Sequence, residues 1–295
     1  MLLLILAKVP EWSIALQTFR RGLITALLAA AGLLILPVMT PPVMAADQPI
    51  IIDHTCTDLS QIPQERIDLA KQNLRLAYGH TSHGSQIVTG MEVLTWSSDL
   101  YAFNWDGDGG ALSLYDTVPE GDLGSPDRVT WASLTQDMLN SEGNNRNVVV
   151  WSWCGQVSWS SPEDIDTYLN LMSQLERDFP NVTFVYMTGH LDGTGEEGNL
   201  NQRNNQIRDY CRANNKVLFD FADIESYDPD GNYYLNRGAT DGCDYDGGNW
   251  ADDWCARNPG QCADCDCAHS KGINCQQKAK AFWWMLARLA GWPGP

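Results

Sequence analysis

The stretch Asn147-Val148-Val149-Val150-Trp151-Ser152-Trp153 is almost continuously apolar. An unbroken apolar run is what a central strand covered on both faces requires. It ends in Cys154-Gly155-Gln156, after which Ser161-Pro162-Glu163-Asp164 signals the start of a helix over Ile165 to Phe179. Downstream, the pattern predicts a strand over Val182 to Met187 ending in Thr188-Gly189-His190, a polar amphipathic helix over Asn201 to Ala213, and a strand over Val217 to Phe221. Upstream, Asn73 to Tyr78 reads as a short buried strand that runs into the polar turn Gly79-His80-Thr81-Ser82-His83-Gly84. Helix-like spacing follows over Ser85 to Leu94. Residues 104–110 read as a loop and Leu112 to Val118 as a strand closed by Gly121-Asp122-Leu123-Gly124. Val129 to Leu139 and Lys278 to Ala290 read as amphipathic helices. Residues 225–268 are rich in Asp, Gly, Asn and Cys, have little periodicity, and are expected to form a long irregular insertion.

Strands alternating with helices predict an α/β domain with a central parallel sheet and helices on both faces. Ligands of such sheets sit at the carboxyl ends of the strands. Those ends hold Ser82, Gly155, Gln156 and His190.

The chain has 295 residues with 44% hydrophobic and 10% aromatic content, which supports a real core. Its net charge is −18, and a surface that acidic repels phosphate backbones, so a nucleic-acid partner is not expected. Residues 1–46 read as a signal peptide: Arg20 and Arg21, an apolar run from Gly22 to Val38, then the small residues Ala45 and Ala46. Residues 47–295 then form a single exported domain, secreted or periplasmic, with a net charge of −20 and no membrane span. All nine cysteines lie in it, six of them between residues 243 and 275, so disulfides are expected there and at least one thiol is left over.

Of the five histidines, His269 lies in Asp266-Cys267-Ala268-His269, just before the last helix. On one turn, the carboxylate would orient the imidazole and stabilise its charged form. A hydroxyl at the end of the first strand completes a Ser82…Asp266…His269 order known for this chemistry. Here the sequence resembles the SGNH (GDSL-type) hydrolases over roughly residues 70–290. Ser82 of His80-Thr81-Ser82 stands where the family has GDS, Gly124 matches the second block, Trp153-Cys154-Gly155-Gln156 stands for GxND, and Asp266 and His269 match DxxH. The resemblance implies a flavodoxin-like three-layer sandwich and a cofactor-independent esterase. Ser82 is its nucleophile, His269 its base and Asp266 the orienting acid. Thr81 replaces the family Asp and the oxyanion Asn is missing, so Gln156 is expected to supply that donor with backbone N–H groups of Ser82 and Gly124.

His80, His83 and His190 are expected to line the substrate pocket. As an alternative, His80, His83, His190 and His269 converge as a transition-metal site of a metal hydrolase. A third reading is a non-catalytic glycan-binding module, since the GDS and GxND residues are altered and tryptophans such as Trp151, Trp153 and Trp159 cluster near a strand end. Cys262, Cys265, Cys267 and Cys275 could hold zinc, although disulfides suit an exported chain better. Asp228-Pro229-Asp230-Gly231-Asn232 and Asp244-Tyr245-Asp246-Gly247 resemble fragments of calcium loops without completing one, leaving a structural calcium ion as an open expectation. A carbohydrate ester is the substrate class that the aromatic content and export suggest.

Overall fold

The computed structural model describes residues 48–295, so the signal peptide expected over residues 1–46 lies outside the described residues. The elements run in the order β1 (Ile50–Ile52), α1 (Gln64–Asn73), β2 (Arg75–Gly79), α2 (Ser85–Thr95), β3 (Phe103–Asn104), β4 (Leu112–Asp116) and α3 (Thr130–Asn140). They continue with β5 (Val148–Trp151), α4 (Pro162–Asp178), β6 (Thr183–Met187), α5 (Asn199–Ala213), β7 (Val217–Phe219) and α6 (Phe221–Glu225). The chain closes with β8 (Asp244–Tyr245), β9 (Gly248–Asn249), α7 (Trp250–Arg257) and α8 (Gly272–Leu289).

Seven strands form one parallel sheet in the order β1-β7-β6-β5-β2-β4-β3. All four residues of β5 are buried, as the apolar run requires. On one face α1, α2, α6 and α8 pack together; α3, α4 and α5 pack as a second group. The result is the expected three-layer α/β sandwich. The order decides where a ligand can sit. After β2 the chain builds β3 and β4 on one side, then returns to place β5 on the other. The crevice between the carboxyl ends of β2 and β5 is therefore a topological switch point.

Local chemistry explains the ends of the elements. Ser161 and Asp164 form a reciprocal capping box with Pro162 at the first helical position, so α4 starts three residues before the expected Ile165. Asp220 ends β7 by turning its side chain to accept from the Asp223 N–H, and Phe221 opens α6 rather than closing the strand. The last helix starts at Gly272, not Lys278: its first turns look polar, yet Asn274 and Gln277 are buried there. Gly90 lets α2 approach α8, because a Cβ there would lie 2.0 Å from the Cys275 carbonyl oxygen. The strand β1 and helix α1 were not expected; β1 spans only three residues, too few to show a period.

The insertion is more ordered than its composition predicts. Leu191, Tyr234, Leu235, Trp250, Trp254 and Ile273 give it a small core of its own, and the Asn249 side chain caps α7. Disulfides join Cys255 to Cys262 and Cys267 to Cys275, which removes the zinc set and leaves Cys265 free. The Asp228 carboxylate accepts from the Asp230 and Asn232 N–H groups, the Asn232 amide and the Tyr234 hydroxyl, and so closes its own turn. Among the described residues no helix is long and apolar enough to cross a membrane.

Candidate active site at the β2–β5 crevice

Ser82 lies in the turn between β2 and α2. The Ser85 hydroxyl donates to the Ser82 carbonyl at 2.6 Å, and the Ser85 N–H to the Thr81 carbonyl at 3.3 Å. The turn sets Ser82 at the positive end of α2, with its own N–H free of any protein hydrogen bond among the described residues. Its Oγ is 2.9 Å from Nε2 of His269, a residue 187 positions away in sequence. With hydrogen on Nδ1, that Nε2 accepts the serine proton.

His269 is exposed and holds a left-handed backbone at φ +60°, a conformation that costs a non-glycine residue on the order of 1–3 kcal/mol. Three constraints hold it there. Gln86 of α2 donates to the Ala268 carbonyl at 2.6 Å, the Ser270 N–H bonds the Cys267 carbonyl at 3.0 Å, and the Cys267–Cys275 disulfide ties the loop to α8. The ring also stacks on His83 with centroids 4.4 Å apart. Asp266 is exposed and forms no hydrogen bond with His269. The segment from Ala263 to Cys267 is not helical, so the i, i+3 spacing does not bring the two side chains onto one turn.

A carboxylate does reach the crevice, from the insertion and to a different imidazole. His83 Nε2 donates to Asp241 Oδ2 at 2.9 Å, and Asp241 Oδ1 accepts from the Gly242 N–H at 2.9 Å. The Asp241 N–H is anchored on the Leu191 carbonyl, whose other donor is His190 Nδ1 at 3.0 Å. His83 then presents Nδ1 to the Cys154 sulfur at 3.4 Å, and that sulfur is 3.8 Å from Ser82 Oγ. Burial pushes the His83 imidazole below its ordinary range, and the neighbouring His190 adds to this against the pull of Asp241. Burial raises Asp241, but the His83 hydrogen bond and the His190 charge outweigh it, and the carboxyl is held below the usual range.

The expected oxyanion donor is committed elsewhere. Gln156 Nε2 donates to Asp122 Oδ2 at 2.7 Å, and Gln156 Oε1 accepts the Cys154 N–H at 3.1 Å. Gly155 leads into this 3-10 turn, and Gly124 stands across from it at φ +81° with its carbonyl accepting from Arg128. Burial raises the Asp122 carboxyl despite the Gln156 bond. His80 faces away from Ser82: its Nδ1 donates to the Thr81 carbonyl and its Nε2 bonds Asp116 Oδ1, both at 2.7 Å. Beside it opens a groove of about 760 Å³, lined by His80, Thr81, Thr117, Glu120, Asp122 and Ser125.

His83, His190 and Asp241 place three potential metal-ligand atoms within 4.8 Å of one another. The rings of His83 and His190 lie 3° from parallel with centroids 3.6 Å apart. Ring lone pairs lie in the ring planes, so two parallel rings do not converge on one ion. His80 is turned to Asp116 and His269 to Ser82, so the four histidines do not form the expected metal set.

Beneath the crevice Lys278, fully buried, donates to Glu225 at 2.6 Å and to Gln86, while Glu225 accepts the Leu191 N–H at 2.7 Å. Gln86 holds the loop of His269, and Leu191 holds His190 and Asp241. One buried ion pair thus fixes both walls. Burial drives the Lys278 ammonium downward and Glu225 opposes the shift. Sequence reasoning missed Asp241, the thiol–imidazole contact of Cys154, and this pair. Asp241 carries no local signal among the other acidic residues of the insertion.

Comparison with protein-family models, curated proteins and solved structures gives no match.

Proposed function

We propose that the chain is an exported hydrolase of carboxylic esters, similar in plan to the SGNH enzymes, in which Ser82 attacks the acyl carbonyl. The 2.9 Å Ser82–His269 contact carries this reading. His269 Nε2 takes the serine proton as Oγ bonds to the carbonyl carbon, then returns it to the leaving alcohol. Water repeats the cycle on the acyl-serine. The Ser82 N–H, at the positive end of α2, supports the developing oxyanion. The reading needs no cofactor. Export is supported by the leader-like composition of residues 1–46 and by the two disulfides.

A carbohydrate ester suits the site's surroundings. Trp159 is 69% exposed and lies against Gly155, where a Cβ would come within 2.9 Å of its ring. An open indole face beside Gly155 is a platform for a sugar ring, and the groove beside His80 has room for one. The same tryptophan favours a second reading, a glycan-binding module without turnover. The test is hydrolysis of p-nitrophenyl acetate by the exported chain. Turnover that falls by a factor on the order of 10³ or more in Ser82→Ala is expected. Saturable glycan binding with no ester turnover would favour the second reading.

A further inference from the structure

Cys154 and Ser82 stand on opposite sides of the switch point, at the ends of β5 and β2, with sulfur and oxygen 3.8 Å apart. Each faces its own imidazole, and the two are built differently. The ring serving Cys154 is buried, held by a carboxylate at 2.9 Å, and stacked between two other imidazoles. Because Nε2 donates to Asp241, the neutral ring must present a bare Nδ1, and Cys154 Sγ lies 3.4 Å from it. The Cys154 backbone is fixed by the bond from its N–H to Gln156. We propose that Cys154 is a second acyl-accepting nucleophile, served by His83 as base and Asp241 as orienting acid, which gives the crevice thiol-dependent cleavage of activated esters and thioesters.

The other free thiols differ. Cys56, Cys211 and Cys243 are buried, and burial pushes Cys56 up to about 11 and Cys243 to about 12, so they stay protonated and inert at neutral pH. Cys154 is half-buried at the mouth of the crevice. In the step itself, the thiol proton passes to His83 Nδ1 as Sγ bonds to the carbonyl carbon. The bond to the leaving alcohol or thiol breaks, and the leaving group takes the proton from His83. Water then adds to the thioester with its proton going to His83, the carboxylic acid departs, and the Cys154 sulfur recovers its proton.

The substrate class rests on the acyl-transfer reading above; the reactivity of the thiol does not. The test is therefore alkylation by iodoacetamide on the full chain with its disulfides intact, followed residue by residue by mass spectrometry. Cys154 is expected to react about tenfold or more faster than Cys265, which is also half-buried. His83→Gln should remove that advantage and the milder Asp241→Asn should reduce it, with circular dichroism confirming the fold of each. In Ser82→Ala, p-nitrophenyl acetate should leave an acetyl group on the Cys154 peptide that is released too slowly to restore turnover and that neutral hydroxylamine removes. Equal rates at Cys154 and Cys265, or a Cys154 rate that neither substitution changes in a folded protein, would overturn the proposal. Ester turnover with an unreactive Cys154 overturns this proposal alone, whereas a reactive Cys154 that takes no acetyl group, in a chain that turns over no ester, overturns its acyl transfer and counts against the reading of Ser82 as well.

Discussion

Two imidazoles reach the same crevice from opposite ends of the chain. His83 comes from the turn after β2, is buried, and is oriented by Asp241 at 2.9 Å. His269 comes from the loop before α8, is exposed, and has no carboxylate: it is held by a strained backbone, a disulfide and the face of His83. One ring is oriented through its hydrogen bonds, the other through the chain that carries it. The difference teaches that an acid–imidazole spacing in sequence does not say which imidazole the acid serves. The carboxylate that reaches an imidazole here arrives through tertiary packing of the insertion.

The largest effect should come from His269→Gln, which removes the imidazole facing Ser82; on the proposed chemistry, turnover of p-nitrophenyl acetate should fall by a factor on the order of 10³ or more, with the fold retained. Next in size is the support beneath both rings. Lys278→Met leaves Glu225 buried without its cation and should destabilise the chain by about 3–5 kcal/mol in denaturant titration. Smaller again is the contrast between the two acids. Asp241→Asn should slow turnover by roughly tenfold through the tilt of His83 under His269, whereas Asp266→Asn should change it by less than about twofold, since Asp266 makes no hydrogen bond or ion pair with the imidazole. A larger loss in Asp266→Asn than in Asp241→Asn would show that Asp266, not Asp241, supports the reacting imidazole.

The smallest effect is on stability against pH. His83 is depressed from its ordinary 6.5, so between its native value and 6.5 the unfolded chain binds a proton the native chain does not. Stability should rise with pH across that window. His54, 2.6 Å from Asp223, goes the other way: burial lowers it, but the Asp223 bond and charge win and its value is raised. Its contribution is full below 6.5 and lost as pH rises through the raised value. In thermal melts, lowering the pH should therefore raise the stability of His83→Gln and reduce that of His54→Gln, each relative to the parent.

The sheet was largely legible because its strands are short apolar runs between turn residues, and the alternation with helices admits few topologies. The strand-end rule then located Ser82, and the segment before α8 located His269. Asp241 was not legible, because one aspartate in an acid-rich insertion looks like the rest until packing on Leu191 selects it. Gln156 read as a free donor because only the fold brings Asp122 to its amide. The buried Lys278 sat in an expected amphipathic helix, where a lysine reads as solvent-facing until Glu225 and Gln86 are seen around it.

In the proposed reaction the Ser82 oxygen becomes the covalent acyl carrier. A fluorophosphonate probe, which phosphonylates activated serine hydroxyls, tests it most directly by peptide mapping of the labelled full chain. A single adduct is expected on the peptide carrying Ser82, abolished in His269→Gln. A protein that hydrolyses esters yet carries no adduct on that peptide, or that is labelled equally well without His269, would contradict it.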